Sequence, residues 1–381
     1  MKARGVDNVL VTGGAGFIGS HTVDELITKG YNVTVLDNLE PQVHCEQTKP
    51  PQYLAREAVF VKGSIQNREA VERVALTADA VIHLAAMVGV GQSMYQVERY
   101  VDTNTRGTSV LLDVLANEDH GVKKLVVASS MSIYGEGKYH CEKCCAEVFP
   151  GLRPEKQLEE KKWEHMCPDC GTPVVPAATD ESKPLQPTSI YAQSKRHQEE
   201  MALLIGETYG IATVALRYFN VYGSRQALSN PYTGACAIFS SRILNQKPPY
   251  IFEDGRQLRD FIHVKDVAQA NVLALESTSA DYAILNVGTG KPTSILDLAN
   301  TLIELYGADL NPEIPSTYRK GDIRHCFADV SKASDHLGFR AKIALKEGLL
   351  ELSRWAEEQG WGASDLFDRA LEELKQRGLS K

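Results

Sequence analysis

The sequence predicts an α/β fold in which a doubly wound parallel sheet is followed by a smaller, loop-rich C-terminal region. Three observations carry this. Short runs rich in Val, Ile and Leu recur, "NVLVTG", "YNVTVLD", "AVFVKGS", "DAVIHLAA", "KKLVVASS" and "TVALRYFNVYG". They are too continuously apolar for strands wet on one face, so both faces are covered. Helical patterns such as "FIGSHTVDELITKG" and "NTRGTSVLLDVLAN" separate most of them, and alternating strand and helix implies a parallel sheet. A glycine-rich turn joins the first strand to the first helix.

From about Asn230 the rhythm loosens into segments broken by Pro and Gly, "SNPYTG", "QKPPYIFEDGRQ" and "GTGKPTS", which suits a substrate-binding region. The expected organisation is a first domain over 1–223, interrupted by a cysteine-rich insertion over 136–180, and a mixed region over 224–345, some of whose segments return to the first domain. The charged tail, 346–381, reads as a solvated amphipathic helix.

The 381 residues, 43% hydrophobic and 24% charged, can bury a full core. A net charge of −8 without a Lys/Arg run argues against a nucleic-acid surface. With neither a leader-like start nor a stretch apolar enough to span a bilayer, the expectation is a cytoplasmic chain with no membrane partner. There, eight cysteines read as reduced thiols or metal ligands.

"VLVTGGAGFIGS" places Gly13, Gly16 and Gly19 between strand and helix. Glycines there permit a tight turn and close approach to a pyrophosphate, which the helix N-terminal amides hold. Asp37 ends the second strand, where a carboxylate accepts from a ribose 2′-hydroxyl and repels a 2′-phosphate. No Arg follows it, and the expected cofactor is NAD in a Rossmann-type domain.

"SIYAQSKRHQEE" sets Tyr191 and Lys195 four residues apart on one helix face. An ammonium beside a phenol lowers its pKa, so a phenolate could take a hydroxyl proton while hydride leaves the same carbon. Ser130, at the C-terminal end of "KKLVVASS", lies where open α/β sheets bind ligands.

Six motifs in order, the glycine pattern, "HLAA" (His83 to Ala86), "SSMSIYG" (Ser129 to Gly135), the Tyr191/Lys195 pair, "RYFNVYG" (Arg217 to Gly223) and "RDFIHVKDVA" (Arg259 to Ala268), resemble the extended short-chain dehydrogenase/reductase family. More narrowly they resemble its nucleoside-diphosphate-sugar epimerases and dehydratases, from about Val9 to about Leu337. The resemblance implies Ser130, Tyr191 and Lys195 as the catalytic triad. It implies Gly13, Gly16, Phe17, Ile18, Gly19, Asp37, Asn38, Ile65, Leu84, Ala85, Ala86 and Asn104 as cofactor contacts, with Ser64 departing from the family's usual acid. For the sugar nucleotide it implies Val88, Ser130, Met131, Ser132, Asn220, Arg259, Arg319 and Asp322, with the two arginines facing the diphosphate, where planar guanidinium donors fit.

Relatives that dehydrate the sugar carry an Asp-Glu pair directly after the catalytic hydroxyl, where this chain has Met131 and Ser132; decarboxylating relatives use a Glu at Ser132. What remains is hydride out and back, a 4-epimerisation through a 4-keto sugar. "SSMSIYGEG", "VGVGQSMYQVERY" and "RQALSNPYTGACAIFSSRILN" resemble the subgroup acting on dTDP-L-rhamnose, and Met87, Val88, Val90 and Met131 could form an apolar wall for a 6-deoxy carbon. A UDP-hexose or UDP-uronic acid 4-epimerase is the alternative, and a non-catalytic nucleotide-sugar binder the reading from a different class. Relatives dimerise through two helices, here "NTRGTSVLLDVLAN" and "YAQSKRHQEEMALLIGETYG", which implies a homodimer.

Cys141-x-x-Cys144 and Cys167-x-x-Cys170, with 22 residues between the knuckles, match a closed four-thiolate zinc site. Cys145 is an alternative to Cys144, and His140 and His165 are nearby donors. Cys45, Cys236 and Cys326 are isolated and read as buried thiols. Tyr134 and Tyr191 lie 57 residues apart, and the excess over the family's usual link is about the length of the two knuckles. Zinc would supply folding energy that so small a zinc-ribbon-like insertion lacks. With both ends tied to catalytic elements, it is expected to hang over the mouth of the substrate cleft as a lid or wall.

Overall fold

A computed structural model describes residues 3, 5–44, 47–359 and 365–381; Cys45 lies outside the described residues. Seven parallel strands form the central sheet: β1 (Asn8–Thr12), β2 (Asn32–Asp37), β3 (Val59–Lys62), β4 (Ala80–His83), β5 (Lys124–Ser130), β6 (Ala212–Tyr218) and β7 (Ile284–Val287). Their order is β3-β2-β1-β4-β5-β6-β7, so the chain reverses its winding between β1 and β4, the crevice where such sheets bind ligands.

Alternation along β1 shows why its run is unbroken. Val9 and Val11 enter one core with Val23, Leu26, Val267 and Ala270, whereas Leu10 enters the opposite core with Leu36, Leu111, Leu115 and Ala202. Every residue of β5 is buried. The seventh strand comes from the C-terminal half, and the helix Val264–Glu276 packs beside Phe17–Thr28, so that half does return to the first domain.

The smaller lobe holds strands Asn220–Tyr222, Leu258–His263, Pro292–Ser294 and His325–Cys326. Helices Ala235–Leu244, Ile295–Leu305 and Leu345–Glu358 cover it with Phe239, Leu298, Leu302, Leu349 and Leu352. The insertion is a three-stranded antiparallel sheet, Ala146–Val148 beside Lys138–Cys141 beside Val175–Ala177, around Tyr139, Val148, Val174, Cys141 and Cys167.

The tail departs from the expectation of one solvated helix. Leu345–Glu358 belongs to the smaller lobe, and a second helix, Phe367–Gln376, buries Phe367, Ala370, Leu371 and Leu374. Phe367 and Leu371 pack on Tyr250, and Glu373 accepts from the hydroxyls of Tyr95 and Tyr232. Its apolar stripe found a partner, which the sequence pattern alone did not name. No described helix is long and apolar enough to cross a membrane.

Candidate active site

A cavity of about 390 Å³ runs along the C-terminal edge of the central sheet. At one end the glycine turn forms its floor. Gly13 has φ +69, and a Cβ there would lie 2.8 Å from the Ala85 nitrogen; one on Gly19 would lie 2.1 Å from the Gly13 oxygen. Only glycine fits either position. The helix Phe17–Thr28 starts at Gly16 without a side-chain cap or an acid in its first turn, which leaves its N-terminal amides for an anion. The Asp37 carboxylate is fixed by the amides of Ala15 at 3.0 Å and Leu39 at 2.8 Å.

Gly13, Gly16, Phe17, Ile18, Gly19, Asp37, Asn38, Ser64, Ile65, Leu84, Ala85 and Ala86 all line this end. An uncapped helix start, glycines that a Cβ would block and a held carboxylate make a cradle that fits a dinucleotide. The Ser64 hydroxyl is taken by Gln66 at 2.6 Å. Asn104 stands behind the wall, in a π-helical stretch, Val101–Arg106. Its carboxamide accepts from the Met87 amide and donates to the Met87 carbonyl and to Ser194, so it shapes the cavity without facing it.

A buried relay joins the two ends. The Ala85 amide reaches Thr12 Oγ1 at 3.3 Å, Thr12 Oγ1 meets His83 Nδ1 at 2.7 Å, His83 Nε2 meets Thr108 Oγ1 at 2.9 Å, and Thr108 donates to the Asn104 carbonyl. The directions from Ala85 to the Asn104 carbonyl agree when His83 carries its proton on Nε2, and Gln198 Nε2 also donates to Thr108 Oγ1 at 2.7 Å. Burial, with the charge of Lys195 adding to it, holds the imidazole down at about 3, so it stays neutral.

The catalytic candidates sit on β5 and on the helix Ile190–Tyr209, capped by Ser189 and ended by Gly210 in the left-handed region. Ser130, Tyr191 and Lys195 line the cavity together. The electrostatics differ from the expectation of a phenol lowered by its lysine. Burial pushes Tyr191 up to about 12, opposed by a hydrogen bond with Ser130, and burial brings Lys195 down to about 7. The Lys195 ammonium donates to the Ala128 carbonyl at 3.0 Å. Ser132 donates to Ser130 Oγ at 2.9 Å, holding that hydroxyl at the cavity wall.

In the substrate half, Val88, Met131, Ser132 and Asn220 line the cavity. Arg259, Arg319 and Asp322 do not. The Arg259 guanidinium donates to the carbonyls of Leu258, Ile323 and Arg324, and Arg319 pairs with Asp322 at 2.7 Å over the Phe252 ring. Sequence reasoning missed Gln226, Asn230 and Thr233, and His44 beside Asp37, all of which line the cavity. The Oε1 of Gln226 and the Oδ1 of Asn220 are buried without a partner among the described residues, which marks them for a ligand. The polar run after "RYFNVYG" was the available signal. Tyr134 is not a pocket wall: it is fully buried, donating to Asn286 and accepting from Arg217.

No residue of 136–180 lines the cavity, so the insertion does not form the cavity wall that its sequence position suggested; its ends bond residues 324–329 instead. The sulfurs of Cys141, Cys144, Cys167 and Cys170 lie within 4.8 Å of one another, two pairs at 3.5 and 3.9 Å. A tetrahedron with metal–sulfur bonds of about 2.3 Å has edges of about 3.8 Å, so the cage fits zinc. Cys145 is exposed and points to the Glu142 carbonyl, outside the cluster.

Fold and site together define a dinucleotide-binding enzyme with a Ser/Tyr/Lys centre in the same cleft. The chain belongs to the NAD dependent epimerase/dehydratase family, whose model matches residues 9–154 and 164–288. It is 34% identical over 359 residues to a dTDP-L-rhamnose 4-epimerase of Burkholderia thailandensis, covering 92% of this chain and 95% of the relative. The crystal structure of a UDP-glucose 4-epimerase from Thermotoga maritima, with UDP-glucose, superposes with TM-score 0.74 at 34% identity, covering 92% of this chain and 99% of that one. A UDP-glucuronic acid 4-epimerase from Bacillus cereus, in complex with UDP-glucuronic acid and NAD, gives TM-score 0.75 at 27% identity over 92% and 99% of the two chains.

Proposed function

We propose that the protein is an NAD-dependent 4-epimerase of a nucleoside-diphosphate sugar, with dTDP-L-rhamnose, converted to dTDP-6-deoxy-L-talose, as the favoured substrate. One observation carries the reaction type: among the described residues the carboxylates lining the cavity are Asp37 and Glu40, both at the cofactor end. Elimination of water between sugar carbons needs a proton donor and acceptor beside Ser130, and Met131 and Ser132 supply neither.

The glycine turn, Asp37 and Lys195 would hold NAD, which would supply the reversible hydride chemistry at C4. Tyr191, as its phenolate, would take the C4 hydroxyl proton as the C4–H bond breaks and give it back after the 4-keto sugar has turned its other face; burial by itself favours the neutral phenol, so the phenolate is needed only in the loaded site. The Ser130 hydroxyl bonds the reacting oxygen, and Lys195 keeps positive charge beside the phenol's path. Because both transfers reverse within one turnover, no net oxidation occurs.

For the sugar, Met87, Val88, Val90 and Met131 give the cavity an apolar wall, which suits a methyl at C6. A C6 carboxylate would call for a cation, and among the described residues Lys195 is the only lysine or arginine lining the cavity, which disfavours a uronate. Incubation with dTDP-L-rhamnose, followed by NMR, should show the C4 epimer forming to an equilibrium mixture. Conversion of UDP-glucose alone would move the reading to the hexose alternative, and conversion of no activated sugar would remove the enzymatic one.

We also assign a structural zinc to Cys141, Cys144, Cys167 and Cys170, closed to substrate because four thiolates leave no open position. Metal analysis should return one zinc per chain. A homodimer through the helices Gly107–Asn117 and Ile190–Tyr209 is part of the same reading, supported by exposed Val97, Val101 and Leu204.

A further inference from the structure

We infer that the cysteine-rich insertion is a buttress that sets the diphosphate grip of the substrate lobe, with Arg153, Glu253 and Arg324 as positioning residues. This rests on the nucleotide-sugar reading above and on the sequence resemblance that sets Arg259 and Arg319 at the diphosphate.

Both ends of the insertion are sewn to one segment, residues 322–329. The Glu136 carboxylate accepts from the amides of Arg324 at 2.8 Å and His325 at 2.7 Å. The Gly137 amide donates to the His325 carbonyl, the Thr179 amide to Phe327, and the Asp329 amide back to Thr179. The approach is close enough that a Cβ on Gly137 would lie 2.5 Å from the His325 oxygen.

Between these seams a buried ion network crosses from the insertion into the lobe. Arg153 bonds both Glu253 oxygens, at 2.9 and 2.7 Å, and the Asp322 carbonyl at 3.2 Å. Arg324, with a side chain 0% exposed, reaches Glu253 at 2.9 Å, Asp254 at 2.7 Å and Glu164 at 2.5 Å. Such a network holds one geometry, because moving Arg153, Glu253 or Arg324 strands a buried charge.

The other side of the same segment carries the two arginines. Arg259 is oriented by the carbonyls of Ile323 and Arg324, and its strand pairs Arg259 with Cys326. Arg319 leans on Asp322 and on Phe252, the residue before Glu253. Two of these supports, Arg324 and Asp322, are therefore bonded directly by the insertion, and Ile323 lies between them. Neither arginine lines the cavity in this structure, so a small shift of residues 322–326 decides how each meets a diphosphate.

The test compares Arg153→Met and Arg153→Lys with the unaltered protein, using dTDP and UDP as probes in calorimetry, with NAD affinity, zinc content and steady-state kinetics alongside. The expected result for Arg153→Met is nucleoside-diphosphate binding weakened tenfold or more, KM for the sugar nucleotide raised by the same factor, kcat within threefold, and NAD affinity and zinc content retained. Arg153→Lys should recover part of the loss. Affinity for dTDP and UDP within twofold of the unaltered protein, or NAD affinity falling in step, overturns the inference. Should Arg153→Met fail to fold, Glu164→Gln, at the wet edge of the network, is expected to weaken the probes about threefold, and no change there overturns it equally. An unaltered protein that binds neither probe overturns the functional reading itself, a separate outcome.

Discussion

The two halves of the cleft prepare for a ligand in opposite ways. At the cofactor end the site is made of backbone: glycines that admit no Cβ, an uncapped helix start, and Asp37 locked by two amides. These groups face the cavity and need no rearrangement. At the substrate end the arginines that the resemblance implies, Arg259 and Arg319, stay outside the cavity, bonded to carbonyls and to Asp322, while Gln226 and Asn220 keep unpartnered oxygens. The contrast teaches that cofactor binding is fixed by local chain geometry, which suits a cofactor that stays, whereas sugar-nucleotide binding depends on a long-range scaffold.

Perturbing one half should therefore spare the other. The largest effect is expected at their meeting point: Tyr191→Phe should lower kcat about 10³-fold by removing the proton carrier, with NAD still bound, as seen by sugar interconversion assays and cofactor fluorescence. Next, Gly19→Ala should abolish NAD binding and lower stability by about 3 kcal/mol, since its Cβ would meet backbone that cannot move aside, measurable by denaturant titration. Cys170→Ser should release zinc and weaken the insertion's small core, lowering the melting temperature by several degrees; NAD affinity should hold while sugar-nucleotide KM rises. Equal loss of both affinities would break the comparison.

The smallest effect is in pH. Burial depresses His83 to about 3 and His21 to about 4, so the unfolded chain takes up protons that the folded one refuses. Stability is present above the ordinary imidazole value of about 6.5 and is lost progressively as pH falls toward these values. Melting curves between pH 7 and pH 4.5 should show a shallower decline in His83→Gln than in the unaltered protein.

The cofactor half was legible because its determinants are contiguous: Gly13 to Gly19 lie within one turn, and Asp37 ends the next strand. The clustering of Cys141, Cys144, Cys167 and Cys170 follows from two short knuckles, and the structure separates Cys144 from Cys145 by placing only the former among the clustered sulfurs. What escaped is non-local. Arg153 and Glu253 are 100 residues apart, Glu253 and Arg324 71, and each reads in sequence as an ordinary surface charge. The cavity-wall expectation failed because sequence gives where an insertion is tethered and not which way it faces. The Tyr191/Lys195 spacing put both side chains on one helix face, but it could not weigh the lysine's charge against burial, which dominates both groups here.

The central claim, a reversible oxidation at C4 within one bound state, is tested most directly with a nucleotide sugar carrying deuterium at C4. The account predicts that turnover yields the 4-epimer with deuterium retained at C4 and none taken up from deuterated solvent by the protiated substrate. Loss of the label, or solvent deuterium appearing at C4 or C5, would contradict hydride return and point instead to proton abstraction from carbon.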